Sequence, residues 1–179
     1  LNGSLSDFRS FVVQVMRQRE RTPKDDFISE LLATAPDGVR DNHITDNVML
    51  LAADGVGNVQ SGLVNCVSVI CQQPAPPPEL FGTNKERACL VDECLRLESP
   101  GQYQGRITTG PVEIGGKMIR ANSIVLLGLA AANRDPATFA APDDFQPKRT
   151  RPQHMAFGAG AHMCMGNVFV RREISAALL

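Results

Sequence analysis

The sequence predicts a fold that is mainly α with a small antiparallel β-sheet. Three observations lead there. Apolar residues recur at three- and four-residue steps over several long stretches. Short strand-like runs between Gln104 and Ile119 are separated by the turn pairs Gly110-Pro111 and Gly115-Gly116. Nowhere do strands and helices alternate as a doubly wound fold would require.

The elements follow in order. Residues 4 to 19 read as a helix, with Phe8, Phe11, Val12, Val15 and Met16 on one face. Thr22-Pro23-Lys24-Asp25-Asp26 reads as a second helix start, with Pro near the first turn and acids favoured by the helix dipole. That helix carries Phe27, Ile28, Leu31 and Leu32 and stops before Pro36-Asp37-Gly38. A long third helix is expected from near Thr45-Asp46 to about Gln73, where Pro74 and Pro76-Pro77-Pro78 end it. It contains Gly55, Gly57 and Gly62. Each costs about 0.5–1 kcal/mol relative to Ala, so each calls for a close ligand or neighbouring helix. Residues 74–84 form a Pro-rich linker, either a compact loop or a disordered join. Residues 85 to 97 form a helix with Ala88, Leu90, Val91, Cys94 and Leu95 apolar, broken by Ser99-Pro100-Gly101. Strands are expected around 104–108, 112–114 and 118–119. Residues 123–132 are apolar and fit strand or helix. Asn133-Arg134-Asp135-Pro136 should start a short helix, 142–152 is a polar loop, and a helix follows Gly166 to the end.

Composition narrows the function classes. The 179 residues carry a formal net charge of -1, with 43% hydrophobic and 21% charged residues. That is an ordinary globular balance, and it offers no electrostatic case for nucleic acid or an anionic membrane. A chain of this length buries roughly 70% of its unfolded surface. One domain spanning 1–179 is expected. The cysteines Cys66, Cys71, Cys89, Cys94 and Cys164 form no C-x-x-C pair, so neither a zinc ribbon nor a disulfide framework is expected. Buried thiols in a reducing cytoplasm are the ordinary reading. No signal peptide opens the chain and no run suits a bilayer. The start at Leu1 and the uncapped Glu173–Leu179 run are expected of a piece of a longer fold.

The richest chemistry lies in Phe157-Gly158-Ala159-Gly160-Ala161-His162-Met163-Cys164-Met165-Gly166. It is a glycine-rich loop presenting one cysteine just before a helix, where the dipole favours thiolate. A thiolate beside Phe157 is a soft ligand suited to iron, and the glycines let backbone approach a flat cofactor. Taken alone, an H-x-C in such a loop is more often structural.

The loop resembles the cysteine-ligand loop of the cytochrome P450 family, F-G-x-G-x-H-x-C-x-G, at every defined position. The resemblance implies that Cys164 is the axial ligand of haem iron, that His162 bonds a haem propionate, and that Phe157, Gly158, Gly160 and Gly166 contact the cofactor. It extends to Glu93-x-x-Arg96, whose spacing puts both side chains on one helix face. Alone, that pair would be an exposed ion pair worth at most about 1 kcal/mol. In the family it locks with a later Arg, here Arg149, into a structural network. Arg106 stands where the family has a propionate-binding Arg; otherwise it is a solvated strand charge. Ala132-Asn133-Arg134-Asp135-Pro136 and His154-Met155-Ala156-Phe157 also match family runs.

There are departures. The long helix should cross the distal haem face with an acid–Thr pair that delivers protons to dioxygen. Those positions hold Gly57 and Asn58, preceded by Asp54 and Gly55, and Gly55 is placed against the haem. Asp54 and Asn58 are one turn apart. Either they hold a water or substrate in place of the usual pair, or this helix has lost oxygen activation. The Pro-rich linker also replaces most of a family helix.

The implied fold is an incomplete cytochrome P450 fold, from the distal long helix to the helix after the cysteine loop. The chain would be a portion of a longer enzyme, half of a two-chain assembly completed by a second chain, or a shortened relative that dimerises. The implied function is a cytoplasmic haem-thiolate monooxygenase. It would hold haem b (iron protoporphyrin IX) and use dioxygen, a small hydrophobic organic substrate and a ferredoxin- or flavodoxin-type electron donor, with no nucleic acid and no membrane. The alternatives are a haem-binding or degenerate scaffold without that activity, and an isomerase, epoxidase or coupling enzyme that needs no proton relay.

Overall fold

The computed structural model of the chain describes residues 2–36, 42–76, 78–149 and 154–179. The chain divides into two compact units, Leu1–Gly57 and Asn58–Leu179, each with its own buried cluster.

The first unit holds α1 (Asn2–Arg21), α2 (Phe27–Thr34) and the first part of α3 (Asn42–Cys71). Val12, Met16 and Ile44 form its buried hydrophobic cluster, with Phe8, Ile28, Leu31, Leu32, Val48 and Met49 packed against them. The Thr45 hydroxyl donates to Met16 Sδ at 3.2 Å inside this cluster. The second helix begins later than its sequence suggests. Asp26 is extended (φ -148°, ψ 161°) and its carboxylate accepts the Ser29 N–H, so it caps α2 and leaves Thr22–Asp25 outside. At the other end, Pro36 favours an extended preceding residue, and Ala35 has ψ 129°. The rest of the expected stop signal, Asp37-Gly38, lies outside the described residues.

The second unit is built on α4 (Asn84–Leu97). Its start is a capping box: Glu86 N–H donates to Thr83 Oγ1 and Thr83 N–H to the Glu86 carboxylate. Leu90, Val91, Cys94 and Leu95 are at most 1% exposed, and the charged residues between them are buried too. From Leu90 to Leu97 the helix is buried on all sides, which makes this half the centre of a core rather than a surface element. Against it pack Cys66, Val69 and Ile70 of α3, Leu80, and Ile174 of α6 (Asn167–Ala177). The hydrogen bond with the adjacent Cys66 thiol, and burial after it, push the Cys94 thiol well above the ordinary range.

Of the linker 74–84, Pro77 lies outside the described residues. Pro78–Phe81 forms one 3-10 turn with Leu80 buried. The Arg87 guanidinium donates to the Phe81 and Gly82 carbonyls, both at 2.7 Å.

The strands form two separate antiparallel pairs instead of one sheet. β1 (Tyr103–Ile107) pairs with β4 (Ile124–Gly128), bringing Arg106 opposite Val125. β2 (Val112–Ile114) and β3 (Lys117–Ile119) form a hairpin. Its turn residues Gly115 and Gly116 have φ 57° and 75°, as a primed two-residue turn requires. The ambiguous run 123–132 resolves as both elements, β4 followed by the short α5 (Leu129–Ala132). The helix expected at Asn133-Arg134-Asp135-Pro136 does not form. The Asp135 carboxylate accepts the Ala137 N–H and its carbonyl accepts Phe139 N–H, making a turn that buries Phe139. The end of the polar loop, residues 150–152, is outside the described residues. Among the described residues no helix is long and apolar enough to cross a membrane.

Candidate functional site

The cysteine loop is shaped by its glycines. Gly158 and Gly160 have φ 67° and 74°, a region side-chain-bearing residues rarely adopt. Gly158 N–H donates to Met155 O at 2.9 Å, and Met163 N–H to Gly160 O at 3.1 Å across a 3-10 turn, Gly160–His162. The loop closes where Cys164 N–H donates to Phe157 O at 2.9 Å. The Cys164 carbonyl accepts Asn167 Nδ2 at 2.7 Å. Both main-chain groups of the cysteine are therefore held, while its side chain is exposed. Met163, Met165, Val168 and Phe169 are exposed beside it in sequence.

His162 ends the 3-10 turn and is exposed. Arg106 is exposed on β1, with Nη1 on the Gly105 carbonyl at 2.8 Å. Gly166 caps α6, and a β-carbon there would lie 3.8 Å from Cys164 Sγ. Phe157 is half-buried. These residues fit a haem. A soft thiol stands out from a loop with an apolar surround, and a β-carbon at Gly160 would meet nothing within 4 Å. Among the described residues no group of three His, Cys, Asp or Glu could hold a metal. A single-thiolate site suits a metal whose other ligands come from a macrocycle.

The structure brings Glu93, Arg96 and Arg149 together. Arg96 makes a two-pronged pair with Glu93, Nε to Oε2 and Nη2 to Oε1, both 2.8 Å. Its remaining donors reach the carbonyls of Asn133 (2.8 Å), Pro142 (2.6 Å) and Asp144 (3.1 Å). Arg149 Nε lies 3.6 Å from Glu93 Oε1, and its Nη2 donates to Ala141 and Asp144 carbonyls. The group is a staple between α4 and the segment 133–149. With the Arg96 and Glu93 side chains 2% and 5% exposed, it is no surface ion pair.

Sequence reasoning passed over the neighbours of this staple. Asn133 is fully buried and its Oδ1 accepts Met155 N–H at 2.6 Å, joining the staple to the start of the cysteine loop. His154 is buried with Nε2 3.3 Å from Asp92 Oδ1. Arg171 Nε donates to the same oxygen at 2.6 Å. Burial pulls the Asp92 carboxyl upward, but these partners outweigh it and hold the group below the usual carboxylate range. The signal available was spacing: Asp92 immediately precedes the Glu93-x-x-Arg96 motif, and Arg171 follows Cys164 by seven positions, on α6.

On α3, Asp54 and Gly55 are exposed in the first unit and Asn58 is exposed in the second. Gly55 and Gly57 have nothing within 4 Å of where a β-carbon would sit, whereas at Gly62 Ile174 Cδ1 is 3.0 Å away. Close helix packing thus accounts for Gly62 and not for the other two.

A sequence profile described as Cytochrome P450 matches residues 88–179. The biotin biosynthesis cytochrome P450 of Bacillus subtilis (strain 168) is 34% identical over 176 residues, which are 94% of this chain and 43% of that protein. The 20-oxo-5-O-mycaminosyltylactone 23-monooxygenase of Streptomyces fradiae is 35% identical over 159 residues, 88% of this chain and 38% of that one. Among solved structures, P450BioI in complex with hexadec-9Z-enoic acid ligated acyl carrier protein superposes with a TM-score of 0.90 at 32% identity, covering 97% of this chain and 45% of that one. CYP109Q5 from Chondromyces apiculatus gives 0.91 at 33%, covering 98% and 46%. The chain spans less than half the length of these relatives.

Proposed function

Because the chain belongs to the cytochrome P450 family, we propose that it is the C-terminal part of a haem-thiolate monooxygenase acting on a small hydrophobic organic substrate. The observation that carries this is the exposed Cys164 thiol, on a loop whose two main-chain bonds at Cys164 hold it in one orientation.

Cys164 would ligate the iron of haem b through its thiolate, and His162 and Arg106 would donate to the propionates. Phe157, Gly158, Gly160 and Gly166 make the surface under the macrocycle, and Gly55 offers a helix face without a side chain. When bound, the haem supplies reduction of dioxygen and transfer of one oxygen atom to the substrate. Asp54 and Asn58 hold a water or a substrate group on α3, with the Asp54 carboxylate as the proton carrier. Glu93, Arg96 and Arg149 take no part in the chemistry and keep the segment before the cysteine loop in place. Electrons come from a ferredoxin- or flavodoxin-type donor, and the setting is cytoplasmic.

The test is an absorption spectrum of the reduced, carbon-monoxide-bound full chain. A strongly red-shifted Soret band is expected, and Cys164→Ala should lose it. Absence of any haem band, or an unshifted band, overturns the assignment of Cys164. A second reading, haem binding without monooxygenation, rests on Gly57 and Asn58, where neither an acid nor an alcohol stands. Asp54→Ala divides the two: it should divert electrons from product to peroxide, and unchanged product and peroxide yields remove the relay.

A further inference from the structure

We propose that Arg171 is the positioning residue of the cysteine loop, held in place by Asp92 and acting on both main-chain groups of Cys164. On the N–H side, the Arg171 guanidinium lies over the Phe157 ring, 4.4 Å from its centre. The carbonyl of that same Phe157 accepts the Cys164 N–H at 2.9 Å. On the carbonyl side, Arg171 Nη1 donates to Asn167 Oδ1 at 2.9 Å and lies 3.3 Å from Asn167 O. Holding Oδ1 turns the amide so that Nδ2 points back to the Cys164 carbonyl at 2.7 Å. One planar cation thus fixes the two residues that between them fix Cys164.

The cation is itself fixed from α4. Its Nε donates to Asp92 Oδ1 at 2.6 Å. His154 approaches the same oxygen through Nε2 at 3.3 Å, and its Nδ1 accepts the Ala156 N–H at 3.2 Å. An accepting Nδ1 leaves the proton on Nε2, so His154 donates to Asp92. Its ring is 5.8 Å from that of Phe157. Asp92 is about nine-tenths buried and Arg171 is a quarter exposed, so the pair is far better shielded than a surface ion pair. The order of control runs from the α4 carboxylate, through the guanidinium, to a ring and an amide, and so to the thiol's own peptide unit. A lysine cannot reproduce it. An ammonium has no plane to lay on Phe157 and no fork to serve Asp92 and Asn167 together.

That the thiol so positioned binds iron rests on the reading above; the positioning itself does not. The test is hydrogen exchange on the full chain without haem, for the parent, Arg171→Met, Arg171→Lys and Asp92→Asn. The Cys164 and Asn167 amides should exchange about tenfold faster or more in Arg171→Met and Arg171→Lys, and by a smaller factor in Asp92→Asn, while Leu90 and Val91 in α4 keep the parent rate. Unchanged exchange in the loop overturns the proposal. So does a rise shared equally by the loop and α4, which makes Arg171 a general stabilising residue. Should Arg171→Met not fold, Arg171→Lys and Asp92→Asn decide it. With haem bound, the same variants should show a growing fraction of unshifted carbon-monoxide Soret band. A parent chain with no shifted band overturns the haem-thiolate reading and leaves the exchange result standing.

Discussion

At Gly62 a β-carbon would sit 3.0 Å from Ile174 Cδ1, 3.5 Å from Pro100 Cγ and 3.6 Å from Leu95 Cδ2. Ile174 and Leu95 are each 1% exposed, so neither has room to give way. Gly62→Ala should therefore destabilise the chain by about 1–3 kcal/mol through overpacking, more than the roughly 0.5–1 kcal/mol it gains in helix propensity. At Gly55, with open space around it, Gly55→Ala gains the propensity term alone and should stabilise the chain without haem. Urea unfolding of the two variants checks the pair, and equal shifts of one sign would refute it. The three glycines of α3 look alike in sequence. Only the packing separates the one that a neighbouring helix requires from those left open to solvent.

At the scale of the element, α2 depends on its cap. Asp26 is pulled from 3.8 to about 2, first by the Ser29 N–H and then by the Arg19 guanidinium. A carboxyl depressed in the folded state binds its proton more readily in the unfolded one. The cap's contribution is therefore complete above about pH 4 and is lost as the pH falls to about 2. Helix content followed by circular dichroism should drop in that window, and the drop should flatten in Asp26→Asn. An identical acid profile for parent and variant would count against the cap. Periodicity made the existence of α1, α2, α3 and α4 legible, because a one-sided apolar pattern needs no partner to be read. The element ends were less legible. They turn on which side chain reaches a free N–H, as Asp26 does for α2 and Thr83 does for α4.

In the second unit as a whole, one ion pair joins parts far apart in the chain. Arg96 is hydrogen-bonded to Glu93, and to the carbonyls of Asn133, Pro142 and Asp144. Its guanidinium also lies 5.1 Å from the centre of the Phe139 ring. Arg96→Leu takes from the Glu93 carboxylate, which is 5% exposed, its two-pronged partner, leaving Arg149 Nε 3.6 Å away, and it leaves the Asn133 and Pro142 carbonyls without this donor. Such a break costs about 3–5 kcal/mol, a large share of the stability of a small domain. A loss or marked broadening of the cooperative thermal transition is expected, and a melting curve like the parent's would overturn the role. Arg96→Lys should fare little better, since an ammonium cannot serve this fork.

The sequence by itself determined the helical class, the strand-and-turn character of 104–119 and the cysteine loop with its Gly158, Gly160, His162 and Cys164. These are local: periodicity, turn chemistry and contiguous motifs need only neighbours in the chain. It also singled out Glu93, Arg96 and Arg149, though only through a resemblance, since spacing alone reads Glu93 and Arg96 as a surface pair. The tertiary structure decided what no local pattern encodes. It decided that α4 is buried on every side from Leu90 to Leu97, that β1 pairs with β4 across an intervening hairpin, and that residues 133–139 turn instead of forming a helix. It also joined Asp92 and Arg171, 79 positions apart. The reason is physical. The effect of a charge depends on what surrounds it, and the partners of Asp92 and Arg96 come from segments that only folding brings within hydrogen-bond reach.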